Sequence, residues 1–229
     1  MSVLVVTGTG TEIGKTIVTA AVAAASAHRR VAVLKPAQTG LAPGEPGDVA
    51  EVARLAGAHV TAVELARFPE PLAPATAARR AGMDPVRPYE VAEAAEKLAA
   101  DHDLVLVEGA GGLLVRFDDE GATLADAARL LAAPVLVVAP AGLGTLNSTA
   151  LTAEALRARE LDCLGVVIGS MPAEPDLAAR CNVADLPVAA GAPLLGVVPE
   201  GAGSLAPADF RARAASWLSA PLGGDRPLG

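Results

Sequence analysis

The chain has few of the residues that mark several classes of protein. Its 229 residues include only two cysteines, Cys163 and Cys181, which make neither a disulfide framework nor a four-ligand zinc site. Basic residues are also outnumbered, with 18 Lys and Arg against 26 Asp and Glu and a formal net charge of −8. This balance argues against non-specific binding to nucleic acid or to an anionic membrane, because both need a basic surface.

Long hydrophobic runs are missing as well. The best candidate, residues 130–143, is interrupted by Pro134 and Pro140 and is too short to span a membrane. No signal peptide precedes Val3. The hydrophobic residues, 52% of the chain with only 2% aromatic, suffice for a buried sheet in one domain. We therefore expect a cytoplasmic, single-domain protein.

Short β-branched runs alternate with alanine-rich segments of helical character. Strands are predicted at residues 3–7, 31–34, 104–107, 134–139, 163–168 and 194–198. Helices are predicted at residues 15–28, 49–56, 89–101, 124–132, 145–159 and 207–218. Because the strand segments are apolar throughout rather than alternating, they are typical of a parallel sheet covered on both faces. The pattern predicts an α/β fold with a doubly wound, mostly parallel sheet.

Segments rich in glycine and proline separate some of these elements. Residues 40–47 and 68–74 are predicted to be irregular loops. The tail from residue 220 to 229 has little to pack and is predicted to fray. The histidines (His28, His59 and His102) are scattered, and we expect them on the surface or as caps.

Lysine is scarce, since only three of the 18 basic residues are lysines. Two of them, Lys15 and Lys35, follow apolar runs inside segments rich in glycine and threonine. A compact ammonium fits a tight phosphate cradle, whereas the planar arginine fork suits bidentate pairing. Both positions are therefore interpreted as anion-handling sites.

The segment GTGTEIGKT, from Gly8 to Thr16, is a P-loop one residue longer than the standard pattern. Backbone N–H groups of such a loop point at phosphates at a helix N-terminus, where Lys15 neutralises charge. Thr16 would place its hydroxyl on Mg²⁺. The alternative is a glycine-rich turn without a ligand. We interpret the segment as a nucleotide site, which makes the predicted fold P-loop NTPase-like.

Two carboxylates are candidates to complete this site. Glu108 ends a predicted strand, at the edge of the sheet where ligands bind in open α/β folds, and with Thr16 opposite it is placed to hold Mg²⁺. A solvated turn residue is the alternative. Asp48 is either the N-cap of the following helix or a second magnesium carboxylate, and its spacing does not decide between the two.

Two further segments follow predicted strands. Pro36 biases Lys35 toward extended backbone, so we expect this lysine at a strand end; a surface lysine is the alternative. Thr39 and Gly40 add a hydroxyl and a turn. The segment GLGTLNST, residues 142–149, begins a helix whose free amides either bind a carboxylate or form a plain N-cap.

Taken together, these segments resemble the dethiobiotin synthetase family. The long loop at residues 8–16 is followed by KPAQTG at 35–40, VEGAGG at 107–112 and GLGTLN at 142–147, in the order and approximate spacing of that family. The likeness runs from residue 3 to about residue 199. Other ATPases share the long P-loop, but its combination with the second and third motifs is highly specific.

The resemblance implies a reaction and its partners. ATP, CO₂ and 7,8-diaminopelargonate would give dethiobiotin, ADP and phosphate, through a carbamate that ATP phosphorylates. Mg²⁺ is the implied cofactor, and the family is dimeric. The expected partners are these small molecules and a second copy of the chain, with no nucleic acid and no membrane.

Site residues follow from the same resemblance. Lys15 and Lys35 are the implied catalytic residues. The implied Mg²⁺ ligands are Thr16, Asp48 and Glu108. The implied substrate contacts are Thr11, Thr39 and, from the neighbouring subunit, Gly144, Leu146 and Asn147. The implied nucleotide-binding set is Glu12, Ile13, Gly14, Lys15, Thr16, Ile17, Asp48, Glu108, Gly109, Ala110, Gly111, Gly169, Ser170, Pro199, Glu200 and Gly201.

The chain departs from the family pattern at two positions. Gly10 stands where the family loop usually carries aspartate. Gly169 stands where family members often carry an asparagine whose amide reads the adenine ring. Loss of that amide removes a hydrogen bond that discriminates between bases, so we expect relaxed nucleotide selectivity.

Two other classes compete with this interpretation. Partitioning and septum-site ATPases use nucleotide binding as a switch, but they usually carry a second lysine near the first glycine of the P-loop, and none precedes Lys15 here. A non-catalytic sensor of the same fold would not need intact Lys15, Thr16, Lys35 and Glu108. Neither class explains the Lys35-Pro36 pair.

Overall fold

The computed structural model describes residues 2–227. Strands and helices alternate through most of this range. In chain order the elements are β1 (Val3–Gly8), α1 (Lys15–Ala25), β2 (Val31–Thr39), α2 (Asp48–Ala56), β3 (Val60–Phe68), α3 (Pro74–Ala81), α4 (Pro88–Asp101), β4 (Leu104–Gly112), α5 (Leu124–Leu130), β5 (Val135–Ala139), α6 (Thr145–Arg157), β6 (Cys163–Met171), α7 (Leu177–Ala190), β7 (Leu194–Pro199) and α8 (Pro207–Trp217).

All seven of these strands form one sheet in the order β3-β2-β4-β1-β5-β6-β7. Every neighbouring pair is parallel. β1 lies at the centre, between β4 and β5, so the loop that follows it opens at the middle of the sheet edge. The predicted doubly wound parallel sheet is confirmed.

Apolar side chains cover both faces of the sheet. On one face α1, α2 and α8 pack around Val18, Leu55 and Phe210. On the other face the core contains Val91 of α4 and Leu186 of α7. Each large side chain that is fully buried contributes about 1.5–3 kcal/mol. This burial on both sides explains why the strand segments read as continuous apolar runs.

β2 and β4 extend five residues beyond their predicted ends, and β6 extends three. β2 continues through Lys35 and Pro36 to Thr39, and β4 continues through the glycines after Glu108. Lys35 therefore lies in the middle of β2, and its predicted place at a strand end is wrong. Proline is tolerated because the pairing of β2 with β4 ends at Leu34, so a missing N–H at Pro36 breaks no bond to that strand.

Three elements were not predicted: β3, α3 and α7. β3 is an edge strand that is mostly half-exposed and carries Glu64 and Arg67, so it has no continuous apolar run. α7 contains Pro187, a residue that normally argues against a helix interior. The irregular segment predicted at residues 68–74 is a short loop that ends where Pro74 begins α3, a favoured position for proline.

The predicted fraying of the C-terminal tail is wrong for the described part of that tail. Ala220–Leu222 forms a short 3₁₀ helix. Leu222 is 2% exposed and belongs to the core under α1 and α8. Arg226 N donates to Leu218 O at 2.9 Å. The tail is held because it supplies an apolar side chain to the core; residues 228 and 229 lie outside the described range.

His59 and His102 each lie against a backbone carbonyl of a helix. His102 ends α4, with its Nδ1 2.8 Å from Leu98 O. The Nε2 atom of His59 lies 3.1 Å from Ala23 O. Among residues 2–227, no helix is long and apolar enough to cross a membrane.

Candidate active site

The carboxyl ends of β1, β2 and β4 meet at one edge of the parallel sheet, where open α/β folds bind ligands. A cavity of about 680 Å³ opens there. Its walls come from the P-loop, β2, the start of α2, the loop before α3 and the end of β4. The lining residues are Thr11, Glu12, Ile13, Gly14, Lys15, Thr16, Lys35, Ala37, Gln38, Thr39, Asp48, Pro71, Leu72, Ala73, Pro74, Ala110, Gly111 and Val115.

The P-loop adopts the conformation that its glycines allow. Gly14 precedes α1 with φ 91°, and Glu12 also has a positive φ of 55°. Lys15 begins α1 and is 8% exposed, and its Nζ donates to Gly10 O at 2.7 Å. Burial, together with the charge of Lys35, lowers the pKa of Lys15. An anion bound beside Lys15 would offset both effects, as a phosphate at a helix N-terminus does.

Lys35 is the centre of a buried charge cluster. It is 3% exposed, and its Nζ lies 2.5 Å from Asp48 Oδ2, 2.9 Å from Glu108 Oε1 and 3.2 Å from Gly109 O. The ammonium has three donors, and three acceptors surround it. Burial acts to lower the pKa of Lys35, but the carboxylates of Glu108 and Asp48 outweigh it, and the pKa is raised. Lys35 is therefore charged at neutral pH.

The oxygen atoms beside this lysine fit a magnesium ion. Thr16 Oγ1 donates to Glu108 Oε1 at 2.9 Å. Glu108 is 1% exposed, yet its Oε2 has no hydrogen-bond partner, and a buried carboxylate oxygen normally has one. With Asp48, these groups supply only oxygen ligands, which Mg²⁺ prefers.

Asp48 does not cap α2. The N-cap is Gly47, and Asp48 is the first residue of the helix. Its side chain is 35% exposed and pairs with Lys35, so the capping interpretation is wrong. Within residues 2–227 no group of three or more His, Cys, Asp or Glu side chains gathers as a metal site. Mg²⁺ usually takes one or two carboxylates and completes its shell with water and phosphate oxygens.

Most of the predicted phosphate-side residues come together in the cavity. Thr11, Thr39, Ala110 and Gly111 line it, in addition to the P-loop residues already described. The predicted residues Glu108, Gly109 and Ile17 do not line it. The carbonyl of Gly109 accepts a bond from Lys35, while Ile17 on α1 lies against Gly203, where an added Cβ would be 2.7 Å from its Cδ1.

Gly169 packs against the P-loop. A Cβ added at Gly169 would lie 2.0 Å from Ile13 O, and one added at Gly14 would lie 2.4 Å from Gly169 O. The lack of a side chain at this position is thus a condition of the observed P-loop packing. In contrast, a Cβ at Gly10 would meet nothing within 4 Å.

The predicted base-side residues lie outside the cavity wall. Ser170 is in β6, and Pro199 ends β7. Glu200 N donates to Met171 O at 2.8 Å, which fastens the turn at Glu200 and Gly201 to the end of β6. None of these residues lines the cavity around Lys35.

The residues predicted at the start of α6 also lie apart from the cavity. Gly144 is the N-cap of α6 with φ 89°. Neither it nor Leu146 and Asn147 lines the cavity. The adjacent Leu143 is 90% exposed. One copy of the chain therefore does not bring this segment to Lys35.

The structure adds site residues that the sequence analysis did not single out. Gln38 lines the cavity and its Oε1 accepts from Asp48 N at 2.9 Å. Pro71, Leu72 and Ala73, in the loop before α3, form another part of the wall. Gln38 belongs to the KPAQTG motif, which was a usable signal. The wall segment gave none, because its prolines read only as an irregular loop.

Fold and site define a P-loop nucleotide-binding protein. Solved structures with the same fold include the MinC:MinD cell division protein complex of Aquifex aeolicus, with a TM-score of 0.59 at 14% identity over 93% of this chain and 86% of that one. A ParA family ATPase from Chlorobium tepidum gives 0.59 at 13% identity over 97% and 96%. At such identities the likeness concerns the fold alone.

Sequence comparison is more specific. Residues 2–207 match the family model of an AAA domain. The chain is 72% identical to the ATP-dependent dethiobiotin synthetase BioD of Streptomyces avermitilis, over 98% of this chain and 94% of the relative. It is 71% identical to the enzyme of the same name from Saccharopolyspora erythraea, over 98% of both. The chain belongs to the dethiobiotin synthetase family, whose members are ATP-dependent ligases.

Proposed function

We propose that this ligase joins CO₂ to the two amines of 7,8-diaminopelargonate and closes the ureido ring of dethiobiotin. One amine nitrogen attacks CO₂ and loses a proton to form a carbamate. A carbamate oxygen then attacks the γ-phosphorus of ATP, and ADP leaves. The second amine attacks the carbonyl carbon of the resulting mixed anhydride, and the ring closes as inorganic phosphate leaves. The attacking amine loses its proton to solvent.

The observation that carries this proposal is the position of Lys35. Its ammonium is buried at the cavity wall and is held by two carboxylates. Lys35 lies on β2, which is separated from β1, the strand that leads into the P-loop, only by β4. A fixed positive charge there stabilises the negative charge of the carbamate and of the transferring phosphoryl group. Lys15, at the start of α1, binds the phosphates together with the backbone amides of the loop.

Mg²⁺ would be held by Thr16, Asp48 and Glu108. The unpartnered Oε2 of Glu108 and the oxygen-only donor set support this assignment. When bound, the ion neutralises charge on the phosphate oxygens. The residues of the chain meanwhile position the phosphates and keep the cluster around Lys35 in place.

A homodimer is the second part of the proposal. The segment of Gly144, Leu146 and Asn147 would receive the substrate carboxylate at the site of a neighbouring subunit. Its separation from the cavity within one chain and the 90% exposure of Leu143 support this arrangement. The expected cytoplasmic location remains a prediction.

Phosphate release tests the proposed reaction. Release from ATP should need Mg²⁺, the diamine and bicarbonate together, because the phosphoryl acceptor is the carbamate rather than water. Omitting the diamine should reduce release to the background seen without enzyme. Fast hydrolysis of ATP without the diamine would contradict the proposal and would indicate a switch ATPase instead.

A further inference from the structure

Arg67, on the edge strand β3, makes four side-chain hydrogen bonds, two to Glu64 and two to the loop before α2. Its Nε and Nη2 donate to the two carboxylate oxygens of Glu64 at 2.8 and 2.9 Å. Its Nη1 donates to the carbonyls of Ala42 at 3.2 Å and Glu45 at 2.5 Å. The planar guanidinium thus binds a carboxylate by its fork and two loop carbonyls by its remaining edge. Its side chain is 25% exposed and that of Glu64 is 18% exposed.

The two carbonyls belong to the loop at residues 40–47, which joins β2 to α2. This loop contains glycines and prolines and has no regular structure of its own. Its start is fastened to β3 by Gly40 N, which donates to Phe68 O at 3.0 Å. Inside it, Ala42 N donates to the side chain of Glu45 at 2.8 Å. Arg67 thereby joins the middle of the loop to the sheet.

The end of the loop packs on the same group of side chains. A Cβ added at Gly47 would lie 2.6 Å from Glu64 Oε2, and 2.9 Å from both Arg67 Nη2 and Gln38 Oε1. Gln38 is 5% exposed, and its Oε1 accepts from Asp48 N at 2.9 Å. The residue directly before Asp48, and the backbone of Asp48 itself, therefore rest on this cluster of Gln38, Glu64 and Arg67.

We propose that Arg67 is a positioning residue that fixes the loop at residues 40–47 and so holds Asp48 against Lys35 and the magnesium site. This rests on the magnesium role given to Asp48 in the proposed function. Arg67 itself lines no part of the cavity and touches no reacting group. Its effect reaches the site through the loop carbonyls and the close packing at Gly47.

Arg67→Lys is the informative variant, since it keeps the charge but removes the fork that binds Glu64 and the loop together. Hydrogen exchange of the peptide covering residues 40–50, measured in the protein without metal, should become about 10-fold faster. The Mg²⁺ concentration for half-maximal phosphate release should rise by about 10-fold or more, the usual effect of losing a group that orients a metal ligand. Turnover at saturating Mg²⁺ should stay near that of the unchanged protein.

Arg30→Lys is the matched control. Arg30 also forms a fork with a carboxylate, that of Asp103, but it lies just before β2 at the opposite end of the strand. Arg30→Lys should change neither the hydrogen exchange of residues 40–50 nor the Mg²⁺ concentration for half-maximal phosphate release. In the background of Asp48→Asn, Arg67→Lys should add no further rise in the Mg²⁺ requirement, because the two residues act through the same ligand.

The outcomes separate this proposal from the one on which it rests. If Asp48→Asn raises the Mg²⁺ requirement while Arg67→Lys changes neither exchange nor that requirement, the positioning role is overturned and the magnesium site stands. If Asp48→Asn has no effect on the Mg²⁺ requirement, the magnesium role of Asp48 fails, and the target of the positioning fails with it. Faster exchange without a change in Mg²⁺ requirement would reduce Arg67 to a loop anchor and overturn the proposal.

Discussion

Replacing Lys35 by methionine should destabilise the protein as well as inactivate it. The substitution removes the charge that faces Glu108 and Asp48 at 2.9 and 2.5 Å. With an effective dielectric constant of about 20, Coulomb's law gives an attraction on the order of 6 kcal/mol for each of these two ion pairs. Much of this is offset by desolvation, and removing one partner of a buried pair costs about 3–5 kcal/mol. The estimate rests on Glu108, which is 1% exposed.

Urea unfolding in the absence of metal measures this loss. Trp217 is the only tryptophan, is 8% exposed, and lies edge-on to Phe210 with 5.2 Å between ring centroids, so its fluorescence reports the loss of the core around α8. Saturating Mg²⁺ should restore part of the stability, because an ion beside Glu108 replaces the missing charge. The double variant Lys35→Met/Glu108→Gln should also recover most of the loss, since neither charge then remains buried and unpaired.

Catalysis should show a different pattern for the two site lysines. Loss of Lys35 should leave ATP affinity nearly intact and lower turnover by about 10²-fold or more, the effect of removing one preorganised electrostatic contact. Lys15→Ala should instead weaken ATP binding and turnover together, because its charge meets phosphate in the ground state and in the transition state. Lys35→Arg should not rescue turnover, since the planar fork does not fit three acceptors placed around one nitrogen.

Near-normal turnover of a folded Lys35→Met protein would show that Lys35 is not a catalytic residue. An unchanged urea midpoint without metal would refute the electrostatic reasoning, because it would mean that the Lys35 ammonium gives no net stabilisation to the buried carboxylate of Glu108. Calorimetry for ATP affinity and steady-state phosphate release for turnover complete the comparison.

Three further predictions concern nucleotide selectivity, the packing at Gly169 and the pH dependence of stability. GTP, CTP and UTP should support turnover within about tenfold of ATP, since one lost hydrogen bond is worth roughly 0.5–1.5 kcal/mol; an ATP preference above about a thousandfold, roughly 4 kcal/mol, would contradict this. Gly169→Asn should weaken ATP binding about tenfold by overpacking against Ile13 O, whereas Gly10→Asp, in open space, should not. The hydrogen bonds from the side chain and backbone of Arg30 lower the pKa of Asp103 from 3.8 to about 2, so this carboxylate contributes stability above its unfolded pKa and loses it as the pH falls through about 2. The gap in urea midpoint between the unchanged protein and Asp103→Asn should therefore narrow between pH 4 and pH 2, and a gap independent of pH would contradict it.

The residues proposed to bind phosphate were predictable because each carries a local signal. The P-loop pattern, the glycines after Glu108 and the proline after Lys35 all lie within a few positions of the functional side chain. The rule that parallel strands end at one edge of a sheet brings Lys35 and Glu108 to the same side, but their contact also depends on the register that places Leu34 opposite Val107. Asp48 was open between two roles, and the structure decides against the cap, because Gly47 is the N-cap and the side chain of Asp48 pairs with Lys35.

Other parts of the site depend on contacts that the sequence alone does not reveal. Arg67 reaches the loop before α2 only because β3 pairs in parallel with β2, with Arg67 opposite Gln38. That strand was not predicted, since its half-exposed residues include helix formers and charges. In the same way, nothing local to Gly169 shows that its backbone lies against Ile13, because the two are distant in the chain.

The position of the cavity follows from how three strands pair. β4 accompanies β2 only as far as Leu34 opposite Val107, while its pairing with β1 continues to Gly8 opposite Gly112. Lys35 is the first residue of β2 beyond that limit, and its Nζ bonds to Glu108 and Gly109, the first residues of β4 beyond it. An ammonium and a carboxylate therefore meet where backbone pairing between these strands stops. The next residue of β2, Pro36, has no N–H with which to donate a new bond to β4. Lys35 and Glu108 therefore lie beside the P-loop, where Thr16 Oγ1 donates to the same carboxylate.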